Sequence, residues 1–100
     1  MRYIGYKELN TGDFPSLKES LEENPYPNKE KILVFLQNGI IDLTRMSRAK
    51  DVFDGEVIPF EIHVMHRGKF SWSNQIAWYV EKYNLRLPND FESYIIEDGS

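Results

Sequence analysis

The chain has 100 residues, the size of one ordinary domain, and its 41% hydrophobic and 28% charged residues are typical of a globular protein with a single core. Its net charge of −4 argues against broad binding to a nucleic-acid backbone, which depends on clustered lysine and arginine. The absence of cysteine excludes disulfides, thiol catalysis and thiolate metal sites.

The N-terminal part of the chain predicts one helix. Residues 1–10 fit either a short strand or an irregular segment. The apolar residues Phe14, Leu17 and Leu21 recur at helical spacing, and Asp13 is placed to cap the start of the helix. The two prolines of "NPYPN" must end it, because proline lacks a backbone donor and pushes the preceding residue into an extended conformation.

The middle of the chain predicts a second helix followed by a strand. Asn28 is placed to cap a helix over 29–37, and Gly39 is placed at its end. Five consecutive apolar residues within 29–37 would also suit a buried strand, but the charged residues before them and the Asn-Gly after them favour a helix. The next residues, "IIDLTRM", alternate like a strand, and "DVFDGEVIP" predicts a loop.

The second half of the chain contains the clearest strand pattern. "FEIHVMHRGKFSW" alternates on both sides of a short turn at Gly68, which predicts a β-hairpin. Ser73 is placed to cap a helix over 74–83, and a last helix is expected from about Pro88 to Glu97. We therefore expect an α+β fold, a single domain over 1–100, with a small antiparallel sheet of about three strands and N- and C-terminal helices packed on one face.

The predicted helix over 74–83 separates its aromatic residues onto two sides. At about 100° per residue, Ile76, Tyr79, Val80 and Tyr83 form one apolar stripe that should bury against the sheet. Trp78 falls roughly 200° from Ile76, on the opposite side. A tryptophan there either packs under another segment, such as the last helix or the N-terminal residues, or contacts a partner. The first interpretation is the simpler one.

Catalytic and metal-binding patterns are weak. Glu61 and His63 share one face of the predicted strand, whereas His66 points to the other face. Two ligands fall short of the three or four that zinc requires. Ser71 and Ser73 lack the Gly-x-Ser-x-Gly surroundings of a nucleophile. We therefore expect a protein without catalytic activity, cofactor or metal; the alternative is a small metal-dependent hydrolase that uses Glu61, His63 and an acid from elsewhere in the fold.

The acidic residues cluster near both ends of the chain, as a protein that binds a basic partner would require. No apolar run approaches the roughly 20 residues that span a bilayer, and the first residues lack the apolar stretch of a secretion signal. We expect a cytoplasmic protein that binds another protein and neither nucleic acid nor membrane. A homodimer with a self-complementary aromatic patch is the structural alternative. The predicted partner-binding residues are Trp78, Glu19, Glu22, Glu23, Asp90 and Glu97.

The C-terminal half resembles small, mostly uncharacterised bacterial proteins of the toxin-immunity type. The residues that carry the resemblance are Trp72, Trp78, Tyr79, Val80, Lys82, Tyr83, Leu87, Pro88 and Phe91. The resemblance implies an immunity partner of a secreted toxin, and none of these residues belongs to a catalytic motif. A toxin with nuclease activity has a basic cleft, toward which an acidic inhibitor would be steered electrostatically.

Overall fold

The structure is a computed structural model that describes residues 2–10 and 12–98. It contains four strands, three α-helices and one turn of 3₁₀-helix. In chain order these are β1 (Arg2–Ile4), the 3₁₀ turn (Lys18–Ser20), α1 (Lys29–Gln37), β2 (Ile40–Arg45), β3 (Ile62–Arg67), β4 (Phe70–Ser73), α2 (Gln75–Tyr83) and α3 (Asn89–Asp98). The predicted α+β class is confirmed. No helix in the described ranges has the length and apolar character needed to cross a membrane.

The sheet has four strands in the order β1-β4-β3-β2, and it is mixed, so the prediction of about three antiparallel strands is wrong in part. The antiparallel pairs β2–β3 and β3–β4 are as expected. The fourth strand, β1, pairs parallel with β4, and Ile4 lies opposite Trp72. Pairing with a strand so far along the chain leaves no local sequence pattern. The sequence of residues 1–10 therefore fits both a strand and an irregular segment.

The predicted N-terminal helix is wrong, because only the 3₁₀ turn forms there and Asp13 caps nothing helical. The Glu8 carboxylate accepts hydrogen bonds from the backbone N–H groups of Leu17 and Lys18, at 2.8 and 3.0 Å. The Phe14 ring contacts Tyr3, and the chain is already extended at residue 21. Leu17 is thus buried, and Phe14 and Leu21 are half-buried, without forming one helical stripe.

The helices α1, α2 and α3 are confirmed to within about two residues at each end, but two caps differ from the prediction. Asn28 occupies the N-cap position of α1 with a left-handed φ of 67° and makes no side-chain capping bond. Asn74 holds the N-cap position of α2, while the Ser73 hydroxyl accepts a hydrogen bond from the N–H of Gln75 at 3.3 Å. The serine therefore contributes to the helix start from one position earlier than expected.

Trp72 of β4 lies at the centre of the core. Its ring contacts Phe35 of α1 and Phe91 of α3, with centroids 5.4 and 5.6 Å away, and its indole N–H donates to the carbonyl of Leu36 at 3.1 Å. Gly39 lies against the same ring, because a Cβ at this position would be 2.8 Å from Trp72 Cζ2. The close approach of α1 to the sheet therefore requires glycine after the helix.

The stripe predicted on α2 is confirmed. Ile76, Tyr79 and Val80 are at most 1% exposed, and Tyr83 is half-buried. Between β2 and β3, residues 46–61 form a loop, called here the β2–β3 loop, that folds back on itself. The N–H of Ile58 donates to the carbonyl of Ala49 at 2.9 Å, and the loop reaches α2 at its far end.

Candidate functional site

Trp78 lies on the side of α2 away from the stripe, as predicted, and it is half-buried. The contacts that cover it come from the β2–β3 loop, a segment that the prediction did not name. The Trp78 indole N–H donates to Oδ2 of Asp51 at 2.8 Å, and the Phe60 ring packs edge-on with its centroid 6.3 Å away. These contacts fix the orientation of the indole.

Asp51 holds the loop on α2. Its carboxylate is buried and accepts four hydrogen bonds: Oδ2 from Trp78 and from the Tyr83 hydroxyl, and Oδ1 from the N–H groups of Phe53 and Asp54. Burial by itself raises the pKa of Asp51, but the hydrogen bonds from Trp78, from the Phe53 N–H and from Tyr83 outweigh it and lower the pKa. The ionised carboxylate is therefore the favoured form at neutral pH.

Lys82 adds a cation to this network. Its Nζ lies 2.6 Å from Asp54 and 3.7 Å from Asp51, and it stands 5.0 Å from the centroid of the Trp78 ring. The hydrogen bond to Asp54 is the main cause of a raised pKa for Lys82. Because Lys82 and Asp54 are solvent-accessible, their ion pair contributes little to stability beyond the contacts of Asp51.

The Trp78 ring also lines a pocket of about 260 Å³. We call it the Trp78 pocket. It is smaller than the roughly 300–1,000 Å³ of small-molecule sites, and its size suits one inserted side chain. The residues that line it are Leu36, Gln37, Ile41, Phe60, His63, Met65, Asn74, Ala77, Trp78 and Glu81.

Most polar groups in this pocket already have partners within the protein. His63 Nδ1 is 2.9 Å from the hydroxyl of Thr44. The Asn74 side chain bonds both the N–H of His63 and the carbonyl of Glu61. Ile41, in contrast, is 51% exposed at the pocket's edge. The arrangement therefore suits recognition of an apolar group better than acid–base chemistry.

The Glu61 and His63 pair gains no third ligand from the fold. Within residues 2–10 and 12–98, no group of three or more His, Cys, Asp or Glu side chains is arranged to hold a metal ion. His66 is on the opposite face of β3 and pairs with Asp42, its Nδ1 lying 2.7 Å from Asp42 Oδ2. The described residues therefore supply no complete metal site for the hydrolase alternative.

Some of the predicted acidic residues converge on a second depression of about 400 Å³ that we call the Arg86 groove. Glu19 and Glu22 line it together with Arg2 and Arg86. Asp90 joins this side of the molecule through an ion pair with Arg2. Residues from the N-terminal and C-terminal parts of the chain, which the sequence left unconnected, thus meet around one groove.

The remaining two acidic residues are placed differently. Glu23 borders an adjoining depression that shares Glu22 and Arg86 with the groove. Glu97 lies near the C-terminal end of α3. There, the carbonyl of its neighbour Ile96 accepts a hydrogen bond from Lys31 of α1. The structure therefore groups the acidic candidates around the Arg86 groove with the exception of Glu97, and Trp78 lines a separate pocket.

Sequence reasoning missed the role of Arg86. Its guanidinium makes a two-point contact with Glu92, with distances of 3.0 and 2.7 Å, and the same carboxylate accepts from the N–H of Leu87. The hydrogen bond to Glu92 is the main cause of a raised pKa for Arg86. Arg86 and Arg2 make the groove a mixed surface of both charges, less acidic than the sequence predicted.

Asp51 and Phe60 were also missed, although one signal was available for the first. Asp51 precedes Asp54-Gly55, and an aspartate before such a turn commonly bonds the N–H two residues on, as Asp51 does with Phe53 at 2.7 Å. No local signal connects Phe60 to Trp78. Comparison of the chain with family models, curated proteins and solved structures found no significant match.

Proposed function

We propose that this chain is a non-catalytic protein-binding module of the cytoplasm, and more specifically an immunity protein that neutralises a bacterial toxin. The observation that carries the proposal is the Trp78 pocket, an open and mainly apolar pocket with a tryptophan wall. Tryptophan, tyrosine and arginine in such pockets contribute most of the affinity of protein interfaces.

The way Trp78 is held supports binding without rearrangement. Its N–H is bonded to Asp51, and the Phe60 ring packs on its edge. A side chain that is already ordered loses little conformational entropy when a partner covers it. The partner contributes one apolar side chain to the pocket and contacts the exposed Ile41 at its edge.

The charge distribution supports a basic partner. Three glutamates are exposed on this side of the molecule: Glu19 and Glu22 line the Arg86 groove, and Glu23 borders the adjoining depression. Exposed acidic groups increase the rate of encounter with a basic surface, such as the cleft of a nuclease, without needing direct contact at the Trp78 pocket. The resemblance of the C-terminal half to toxin-immunity proteins supports the same class of partner.

The proposal is tested in cells by co-expression with a toxin-like gene that neighbours the gene for this chain. Cells that produce the toxin should survive only when the chain is also produced, and the two proteins should co-purify. The absence of a toxin-like neighbour, or a lack of protection by the folded chain, would contradict the immunity role.

A further inference from the structure

β2 forms one edge of the sheet, and no strand of the described chain pairs with its outer side. All six of its residues are exposed. Four large apolar side chains lie on this strand or directly after it: Ile40 is 62% exposed, Ile41 51%, Leu43 52% and Met46 91%. An exposed apolar edge of this kind is a template for pairing with another strand.

The hydrogen bonds of His63 show which backbone groups of β2 are free to pair. The His63 carbonyl accepts from the N–H of Asn74, and the His63 N–H donates to Asn74 Oδ1, both at 3.0 Å. Both backbone groups of His63 are thus used on the side of β4. Thr44, which lies opposite His63, is therefore in a non-hydrogen-bonded pair, so its N–H and C=O point outward from the sheet.

A bulge at Asp42 determines where a new strand can pair. Ile41 lies opposite Met65 and Leu43 opposite Val64, so Asp42 is an extra residue. Because a bulge interrupts regular pairing, the regular part of the edge begins at Leu43. Thr44 is the first residue of this part whose backbone groups point outward.

We propose that a second copy of this chain pairs with β2 in antiparallel orientation, about a two-fold axis at Thr44. Each Thr44 exchanges N–H···O=C bonds with Thr44 of the second copy. Leu43 and Arg45 point to the same face, opposite the helices, and the axis places each Leu43 opposite Arg45 of the second copy. The paired sheets become one sheet of twice the width.

The charges on β2 match this arrangement. A two-fold at Thr44 places Asp42 opposite Met46 of the other copy and one residue from its Arg45. Asp42 lies on the same face as Arg45, because the bulge directs its carboxylate to His66 on that face of β3. A parallel arrangement in register would instead align like charges. The pairing of one short strand buries less than the roughly 1,200 Å² of stable interfaces, so we expect a transient dimer with a Kd between about 1 µM and 1 mM.

The first test is sedimentation equilibrium of the purified protein up to about 1 mM, the weak end of the expected range. The wild type should dimerise with increasing concentration, and Leu43→Lys should weaken the dimer at least about tenfold because it places a cation opposite Arg45. Val34→Lys is the matched control, since Val34 is 58% exposed on α1, and it should leave the dimer unchanged. A wild type that stays monomeric, or an equal effect of both variants, overturns the proposal.

The second test uses the absence of cysteine in the chain, so that only introduced thiols can react. Thr44→Cys should be cross-linked to a covalent dimer by a short bis-maleimide, because the two-fold axis brings the two thiols together. Glu30→Cys, on an exposed position of α1, should remain monomeric under the same conditions. Failure of Thr44→Cys to cross-link more than Glu30→Cys contradicts the register. The dimer does not depend on the proposed function.

Discussion

The indole N–H of Trp78 donates a 2.8 Å hydrogen bond to the buried carboxylate of Asp51, 27 residues earlier in the chain. This one contact joins the β2–β3 loop to α2 and sets the orientation of the ring that lines the pocket. Asp51→Asn should therefore destabilise the protein by about 2–4 kcal/mol. The amide has one accepting oxygen, whereas both carboxylate oxygens of Asp51 accept hydrogen bonds.

Urea denaturation at neutral pH measures this loss of unfolding free energy. The control is Asp54→Asn, in the same turn, whose carboxylate is accessible to solvent and pairs with Lys82. It should cost much less, because an exposed ion pair is largely screened by water. Equal losses for the two variants would mean that Asp51 does not anchor the loop.

The destabilisation caused by Asp51→Asn should also depend on pH. The pKa of Asp51 is lowered in the folded protein, so its ionised form stabilises the fold above the unfolded pKa of about 3.9. This stabilisation is lost as the pH falls through the lower, folded pKa. The difference in unfolding free energy between wild type and Asp51→Asn should therefore shrink when urea denaturation is repeated below about pH 4. A difference that stays constant down to pH 2 would contradict an ionised anchor.

Gly68→Ala should destabilise the β3–β4 hairpin by about 2–3 kcal/mol. Gly68 has a left-handed φ of 61°, and an added Cβ would overlap the hydroxyl oxygen of Tyr94. Gly55→Ala separates the two causes, because Gly55 has a φ of 75° but no heavy atom within 4 Å of the added Cβ. It should cost only the backbone strain of about 1 kcal/mol, and thermal denaturation of both variants measures the difference.

The sequence predicted the parts of the fold that depend on local spacing. The stripe of Ile76, Tyr79 and Val80, and the outward position of Trp78, follow from helical periodicity alone. The loop that covers Trp78 is held by Asp51, 27 residues earlier in the chain. No local sequence pattern predicts a contact between residues so far apart. The parallel pairing of β1 was missed for the same reason.

The predicted N-terminal helix failed because a side chain outside the segment competes for its backbone. The Glu8 carboxylate accepts hydrogen bonds from the backbone N–H groups of Leu17 and Lys18. The spacing of Phe14 and Leu17 therefore indicated one half-buried and one buried residue, but not the regular helix that usually accompanies such spacing. The Arg86 groove lay equally outside sequence reasoning, since it brings the N-terminal Arg2 beside Pro88.

Zinc should not change the melting temperature of the purified protein. A metal that binds only the folded state must raise the apparent stability, and Glu61 with His63 provides only two ligands. His63→Ala is the control, and it should behave like the wild type when zinc is added. A rise in melting temperature with zinc that disappears in His63→Ala would revive the hydrolase alternative.

The most direct test of the central claim is the Kd between the neighbouring toxin and three forms of this chain, measured by isothermal titration calorimetry. Ile41→Glu places a charge at the edge of the Trp78 pocket, and Val34→Glu places the same charge on an aliphatic residue of similar exposure on α1. We predict that Ile41→Glu weakens binding by at least about tenfold, or 1.4 kcal/mol, and that Val34→Glu binds like the wild type. Wild-type affinity in Ile41→Glu would show that the partner binds elsewhere, and no binding by any form would contradict the proposed function itself.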